Sequence, residues 1–377
     1  MSSLMQTNSA EAVSLGSLSQ SSMSQSSVPQ KVLYFLKKRA FQTKVDGLIS
    51  LCFIVTLFVI LYSVINWAFI DAIWSEGDVS LCGAASGACW SVIDARYRLI
   101  LFGLYPYDLH WRPIVSCVVI VGTIMLSCLP MLWGLKRLTL LWVIGFGSFY
   151  LLMEGRLLGL QEVSTGQWGG LALTLFLFAS VVLVGMPMGL GLALARRSKL
   201  PVIHYSASLF IDTIRSLPLL TTLFVAAVVM PIVLPDWMAG DKIWRVIIAF
   251  ALFFACYQAE VFKGGFQAIT KGQFEAGDAL GLSYFQVLSN IVLPQVFRHS
   301  LPGTINMVVI TFKETAIVII IGFFDVLASA HAAFGSGLWA PYYLEVYVFV
   351  AVIYWVFIFS LSQYGAYLKR RMRIASH

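Results

Sequence analysis

Lys313 and Glu314 are adjacent ionisable residues inside an apolar run, flanked by Thr311 and Thr315. A charge at bilayer depth is costly, so such a residue is a functional candidate by default. Neighbours on a helix point about 100° apart, so Glu314 shares a face with Thr311 and Val318 while Lys313 shares one with Asn306 and Ile310. Glu314 can accept the ammonium group of a ligand, with Thr311 and Thr315 as polar neighbours. Equally, Lys313 and Glu314 can neutralise charges on adjacent helices and hold a bundle together. Gln258 is a further polar candidate deep in another apolar run. A different kind of pattern lies between the two runs: Glu275-Ala276-Gly277, three residues, Gly281, nine residues, then Ile291-Val292-Leu293-Pro294. It reads as two short helices that bend at Gly281, the second stopped by Pro294.

Enzyme chemistry finds no support in the residue spacing. The five histidines (110, 204, 299, 331 and 377) are scattered without ligand spacing. No Gly-x-Ser-x-Gly elbow and no Gly-x-x-x-x-Gly-Lys-Ser/Thr loop occurs in the chain. Hence no catalytic residue, no metal site and no cofactor is assigned.

The elements that position these residues follow from composition. Apolar residues make up 59% and charged residues 11% of the 377, and mean hydropathy is +0.85. Runs of roughly 20 apolar residues are long enough to cross a bilayer as helices. They fall at 46–70, 112–133, 138–160, 168–195, 205–233, 243–262, 301–321 and 342–367, the third interrupted by Glu154 and Arg156. The runs are continuous rather than alternating, so the expected fold is an all-α polytopic transmembrane bundle of about eight spans. Residues 1–30, rich in Ser and Gln, read as a disordered cytoplasmic tail, and no secretory signal peptide precedes the first run.

With both termini inside, basic residues such as Lys37, Lys38, Arg39, Lys136, Arg137, Arg196, Arg197, Lys199, Lys271 and Arg371 gather in inner segments. The outer segments hold only Arg96, Arg98, Arg112, Arg156, Lys242 and Arg245. The net charge of +7 is therefore a topology signal of the positive-inside kind and not a nucleic-acid footprint. Trp67, Trp74, Trp111 and Trp237 suit the interface belts. Asp212 and Arg215 are spaced for a local pair, Pro218 for a bend, and Glu260 for pairing with Lys263 or Arg215. Gly185, Gly189 and Gly191 suit close helix packing. Cys52, Cys117, Cys128 and Cys256 fall in apolar runs, whereas Cys82 and Cys89 share a small-residue stretch of the outer loop and form a disulfide candidate.

The 275–294 spacing resembles the EAA loop of bacterial ABC-importer permeases, which docks into a groove of a separate ATPase. Flanking pieces fall in that family's order: Gly170 to Leu175, Asp212 to Leu220, Ala259 to Gly265, and Lys313-Glu314-Thr315-Ala316. The resemblance covers most of 165–373 and is to permeases of polar-amino-acid importers. Three shorter stretches (Gly87 to Trp90, Leu101 to Pro106, Trp111-Arg112) resemble the larger, N-terminally extended branch for general L-amino acids.

The resemblance implies a five-span permease core at 161–377 with a cytoplasmic coupling loop at 263–300, preceded by a three-span extension at 31–160 with a periplasmic loop at 71–111. It implies that Glu275, Ala276, Gly281, Leu282 and Pro294 couple to the ATPase, and that Glu314, Thr315, Gln258, Thr311 and Lys313 meet the substrate. Its partners would be a dimer of ATP-binding subunits, a second homologous permease subunit, a periplasmic amino-acid-binding protein and the lipid of a bacterial inner membrane. ATP would be bound by the partner and not by this chain. Gly277 stands where the family has a second alanine, at a cost of about 1 kcal/mol in helix propensity. The alternative is a secondary amino-acid transporter driven by an ion gradient, which would carry an inverted repeat.

Overall fold

A backbone in hydrocarbon has to satisfy its own hydrogen bonds, and the chain does so with helices throughout. The computed structural model describes residues 43–74, 79–83, 86–335 and 337–374, so the 1–30 tail lies outside the described residues. Among the described residues there is no strand, and Gly170 and Asp325 form an isolated bridge. Six helices are long and apolar enough to span a membrane, or seven with one bent pair, and Trp111–Ser127 is a shorter apolar helix. Each expected span has a helical counterpart among these.

The described residues form two units. The first is α1 (Lys44–Ile65), prolonged by a π-turn at Asn66–Ile70, together with the strip 86–88. Thr43 caps α1 by accepting from the Asp46 amide at 3.1 Å, and no residue of α1 is buried. The strip is tied back by Ala88 N–H to the Trp67 carbonyl (2.7 Å) and by Ile73 N–H to the Ala88 carbonyl (2.8 Å).

The second unit holds α2 (Ser91–Phe102), α3 (Trp111–Ser127), α4 (Leu135–Glu154), α5 (Gly170–Arg196), α6 (Pro201–Ser216), α7 (Leu219–Phe224) and α8 (Lys242–Gln267). After these come α9 (Gly272–Ala279), α10 (Tyr284–Val287), α11 (Leu293–Glu314), α12 (Val326–Phe334) and α13 (Tyr343–Ile374). The core pair is α5 and α8, whose apolar windows are 61% and 67% buried, against 17% for the window in α13. Close approach requires Gly185, where a Cβ would sit 2.5 Å from the Phe254 ring, and the same holds at Gly189 beside Gln258. Gly191 faces open space and contributes nothing to that packing, contrary to expectation.

Several boundaries differ from those expected, each for a local reason. The third span stops at Glu154 rather than 160, because its last carbonyls are taken by side chains from elsewhere. Fully buried Arg112 donates to the carbonyls of Leu152 (2.6 Å), Met153 (3.1 Å) and Gln161 (2.7 Å), and the Tyr105 hydroxyl donates to Met153 (2.9 Å). The 205–233 span is two helices bent by 102°. Leu217 is extended ahead of Pro218, as the proline's Cδ demands. The helix expected over 301–321 begins much earlier, since helical backbone runs from Tyr284 to Ile321.

The opening of α5 is locked to α12 through the Gly-x-x-x-Thr stretch. Gly170 N–H donates to the Phe324 carbonyl (2.7 Å), and Thr174 Oγ1 accepts from Val326 N–H (3.1 Å). Between them, buried Asp325 caps α12 by accepting from the Ala328 amide at 2.9 Å, while its Oδ2 has no partner. Burial pushes the Asp325 carboxyl up to about 6, against the pull of the amides around it. A carboxyl raised in the folded state stabilises it below the ordinary value of 3.8, and that stability is lost as pH rises toward about 6. The melting temperature should therefore fall between pH 4 and pH 6.5, and Asp325→Asn, which keeps a capping oxygen, should flatten that fall. Thermal unfolding in detergent across the range measures it; an unchanged slope in the variant rejects this assignment.

Candidate functional site

The hairpin at 272–296 is built from glycine placement. After α9, Gly281 takes φ +72°, a left-handed turn natural for glycine. Ser283 then starts α10 with a capping box: Ser283 N–H donates to Gln286 Oε1 (2.8 Å), and Gln286 N–H to Ser283 Oγ (3.4 Å). Gly277 is buried, and a Cβ there would lie 2.5 Å from a Val287 methyl, so its lack of a side chain lets α9 lie on α10. The expected loosening by Gly277 is thus set against a packing requirement.

Pro294 does not stop the second helix. It sits in the first turn of α11, directly after a π-turn at Leu288–Val292. A proline offers no N–H to the carbonyl four residues back, and the wider turn absorbs that missing bond.

One face of the hairpin is anchored. Val287, Leu288, Val292 and Val296 are buried in one cluster with Phe262 and Phe266 of α8, Ile211 of α6 and Ala193 of α5. The other face is open. Leu280 is 77% exposed, Tyr284 57% and Phe285 78%, and Glu275, Ala276 and Gly281 are exposed beside them. Leu282 and Pro294 flank this face, half-buried and exposed respectively. A cavity of about 660 Å³ separates α9 from the α5–α6 turn, with Arg197, Lys199 and Lys271 facing Glu275 and Asp278. The Arg197 guanidinium lies over the rings of Phe266 (4.5 Å) and Phe274 (5.6 Å).

Beside the hairpin, one carboxylate gathers cations from three helices. Glu260 of α8 pairs with Arg196 at the end of α5, with Arg215 of α6 (3.5 Å) and with Lys263 (3.2 Å). Both expected partners of Glu260 are there, and Arg196 is one that local spacing could not reveal. The expected Asp212–Arg215 pair is not formed; Asp212 pairs with Arg196 at 3.3 Å. Arg215 turns instead to Glu260 and the face of Tyr257, 5.2 Å away.

The polar residues of the apolar spans separate into two groups. Thr311 and Thr315 are buried and donate to carbonyls of their own helix, Met307 (2.9 Å) and Phe312 (2.7 Å). Gln258 is fully buried and donates to Thr304 Oγ1 (2.7 Å), linking α8 to α11, with its Oε1 unpartnered. Glu314 is half-buried and Lys313 exposed, and neither enters an ion pair among the described residues. Cys82 and Cys89 are joined as a disulfide, with Cα atoms 5.6 Å apart. Cys89 N–H donates to Oε1 of buried Glu345 (2.9 Å), fastening the loop to the start of α13. Arg112 and Glu345 are positioning residues that no local pattern announced.

A family model described as binding-protein-dependent transport system inner membrane component matches residues 185–374. The chain is 36% identical over 347 residues to the inner membrane amino-acid ABC transporter permease protein YhdY of Escherichia coli K12, covering 90% of this chain and 93% of that one. It is 32% identical to the glutamate/glutamine/aspartate/asparagine transport system permease protein BztC of Rhodobacter capsulatus, over 81% and 85% of the two chains. The probable amino-acid permease protein YxeN of Bacillus subtilis is 32% identical over 51% of this chain and 86% of its own.

Gly277→Ala adds helix propensity worth about 1 kcal/mol but overpacks Val287 at a cost of about 1–3 kcal/mol. The net expectation is looser packing, read as faster amide exchange across 272–292, with Val287→Ala restoring protection. Slower exchange in the single variant rejects the packing account.

Proposed function

Because the chain belongs to the family of binding-protein-dependent transport system inner membrane components, we propose that its hairpin is the lever by which a separate ATPase drives amino-acid import. The chain is the multi-pass permease subunit of an ABC importer, and ATP is hydrolysed by the partner. That membership sets aside an ion-gradient-driven transporter. The five spans from α5 onward act as the permease core; YxeN, matched over about half of this chain, supports a core of that size. The three spans before it are an extension, and both termini face the cytoplasm, in line with the basic residues at 196–199, 263–271 and 369–373. A homologous second permease completes the pore, and a periplasmic binding protein delivers the amino acid.

One observation carries the lever reading. Helical backbone is continuous from Tyr284, at the exposed tip, to Glu314 and on to Ile321. At 1.5 Å per residue, the stretch from Tyr284 to Glu314 is a rod of about 45 Å. The apolar tip of Leu280, Tyr284 and Phe285 inserts into the motor subunit, with Glu275, Ala276, Gly281, Leu282 and Pro294 shaping its approach. When two motor subunits close on ATP, the push at the tip travels along this rod. Glu314 rides on it and receives the substrate ammonium, while Lys313, one position along, faces the substrate carboxylate. Thr311, Thr315 and Gln258, bonded within the chain, shape the wall near that site.

Proteoliposomes holding the full importer test the lever. Gly281→Val, barred from the left-handed turn, should cut uptake at least tenfold while the subunits insert and assemble. Uptake at the parental rate, or uptake that needs no ATP, defeats the proposal. Glu314→Gln, measured against a panel of amino acids, should weaken uptake of cationic and zwitterionic substrates several-fold. Equal uptake across the panel would make Glu314 a purely structural group.

A further inference from the structure

α2, which packs against α5 and α12, and the loop after it enclose a cavity of about 560 Å³ lined by Asp94, Arg96, Arg98, Tyr107 and His110. No ion pair among the described residues includes Asp94, Arg96 or Arg98. Asp94 and Arg98 stand one turn apart, spaced for a local pair, yet Arg98 is drawn elsewhere. Its guanidinium lies 4.5 Å over the Tyr107 ring, and its Nε donates to the Tyr97 hydroxyl at 3.2 Å.

Two polar atoms of the lining are buried with nothing bound to them: Nε of Arg96, a donor, and Nδ1 of His110. His110 is 9% exposed, held between the rings of Phe102 (4.7 Å) and Tyr107 (5.1 Å). Its Nε2 lies 3.0 Å from the Tyr105 carbonyl. A carbonyl can only accept, so Nε2 carries the hydrogen, and in the neutral ring Nδ1 is an acceptor. Burial, followed by the nearby Arg98 charge, holds the imidazole below its usual range, which favours that neutral ring. A buried donor and a buried acceptor left open in one cavity each carry an uncompensated desolvation penalty. A ligand that supplies both complements recovers that cost.

We propose that this cavity binds a free α-amino acid, its carboxylate on Arg96 and Arg98 and its ammonium on Asp94 and Nδ1 of His110. Two guanidinium groups against one carboxylate favour an acidic side chain, so a second carboxylate completes the charge balance. The site is separate from Glu314 and takes no part in coupling, so it senses substrate rather than carrying it.

The assembled importer in nanodiscs, without ATP or binding protein, tests this by equilibrium binding of radiolabelled L-glutamate. A saturable component is expected that is weakened at least tenfold by Arg98→Gln and by Arg96→Gln and that persists in Glu314→Gln. Glutarate, which lacks the amine, should compete at least tenfold less well than L-glutamate, and Asp94→Asn should narrow that gap. Absence of saturable binding, or binding that survives both arginine changes and falls with Glu314→Gln, overturns the proposal. If Arg98→Gln does not assemble, Arg98→Lys, which keeps charge but not the fork, is expected to weaken binding to a lesser extent. ATP-driven uptake measured on the same preparations reads the lever separately, so either reading can fail alone.

Discussion

The carboxylate of Glu260, two turns before the end of α8, neutralises cations contributed by its own helix and by the last turns of α5 and α6. Arg196 is 18% exposed at its side chain and Glu260 24%, so the pair is largely withdrawn from water. Removing Glu260 would leave Arg196, Arg215 and Lys263 close together with one carboxylate fewer, and removing a partner from a largely buried pair costs more than never having it. The cluster therefore fixes the α5–α6 turn against α8. The hairpin rests on that platform: Ala193, Ile211, Phe262 and Phe266, which bury its inner face, lie on the same three helices.

Rigidity of the hairpin comes from two glycines with opposite tasks. Gly281 gives a turn that side-chain-bearing residues rarely adopt, and Gly277 removes the methyl that would hold α9 off α10. The chain then passes through a π-turn into α11 without a hinge of loop residues. No loop lies between the exposed tip and the middle of the span, although Pro302 sits within α11. By contrast, Leu217 and Pro218 break α6 from α7 by 102°, so movement of α6 is not imposed on α7 in the same direct way. One element stays helical past Pro294 and Pro302, whereas the other breaks at Leu217–Pro218.

What the sequence made legible follows the same division between local and distant causes. Span existence was readable because hydrophobicity is a property of a window, and α1, α5, α8 and α13 fall close to their expected places. Glycine spacing announced the hairpin, and the small-residue stretch between Cys82 and Cys89 announced the loop they close. Distant partners were not legible. Arg112 looked like one more outer charge, yet it ends α4 by taking its last carbonyls. Arg196 counted as an inner positive residue, yet it holds both Glu260 and Asp212. Pro294 does not end the helix because the π-turn ahead of it absorbs the bond its missing N–H would have made, and that turn has no signature in local spacing.

The pairing of polar groups inside the spans bears on where transport chemistry resides. Thr311, Thr315 and Gln258 have found partners within the chain, each hydrogen bond lowering the cost of its burial. Glu314 is half-buried with no cation at hand among the described residues. A carboxylate in that setting is stabilised by whatever brings a positive charge to it, whether a neighbouring subunit or an ammonium group in passage. A permanent partner would make Glu314 a fixed strut. An intermittent one makes its cost reversible, and reversibility is what a site needs if it is to release what it binds. The helix that bears Glu314 is continuous with the exposed tip at Tyr284, so in the proposed lever the energetic state of this one carboxylate and the position of the tip are properties of a single helical stretch.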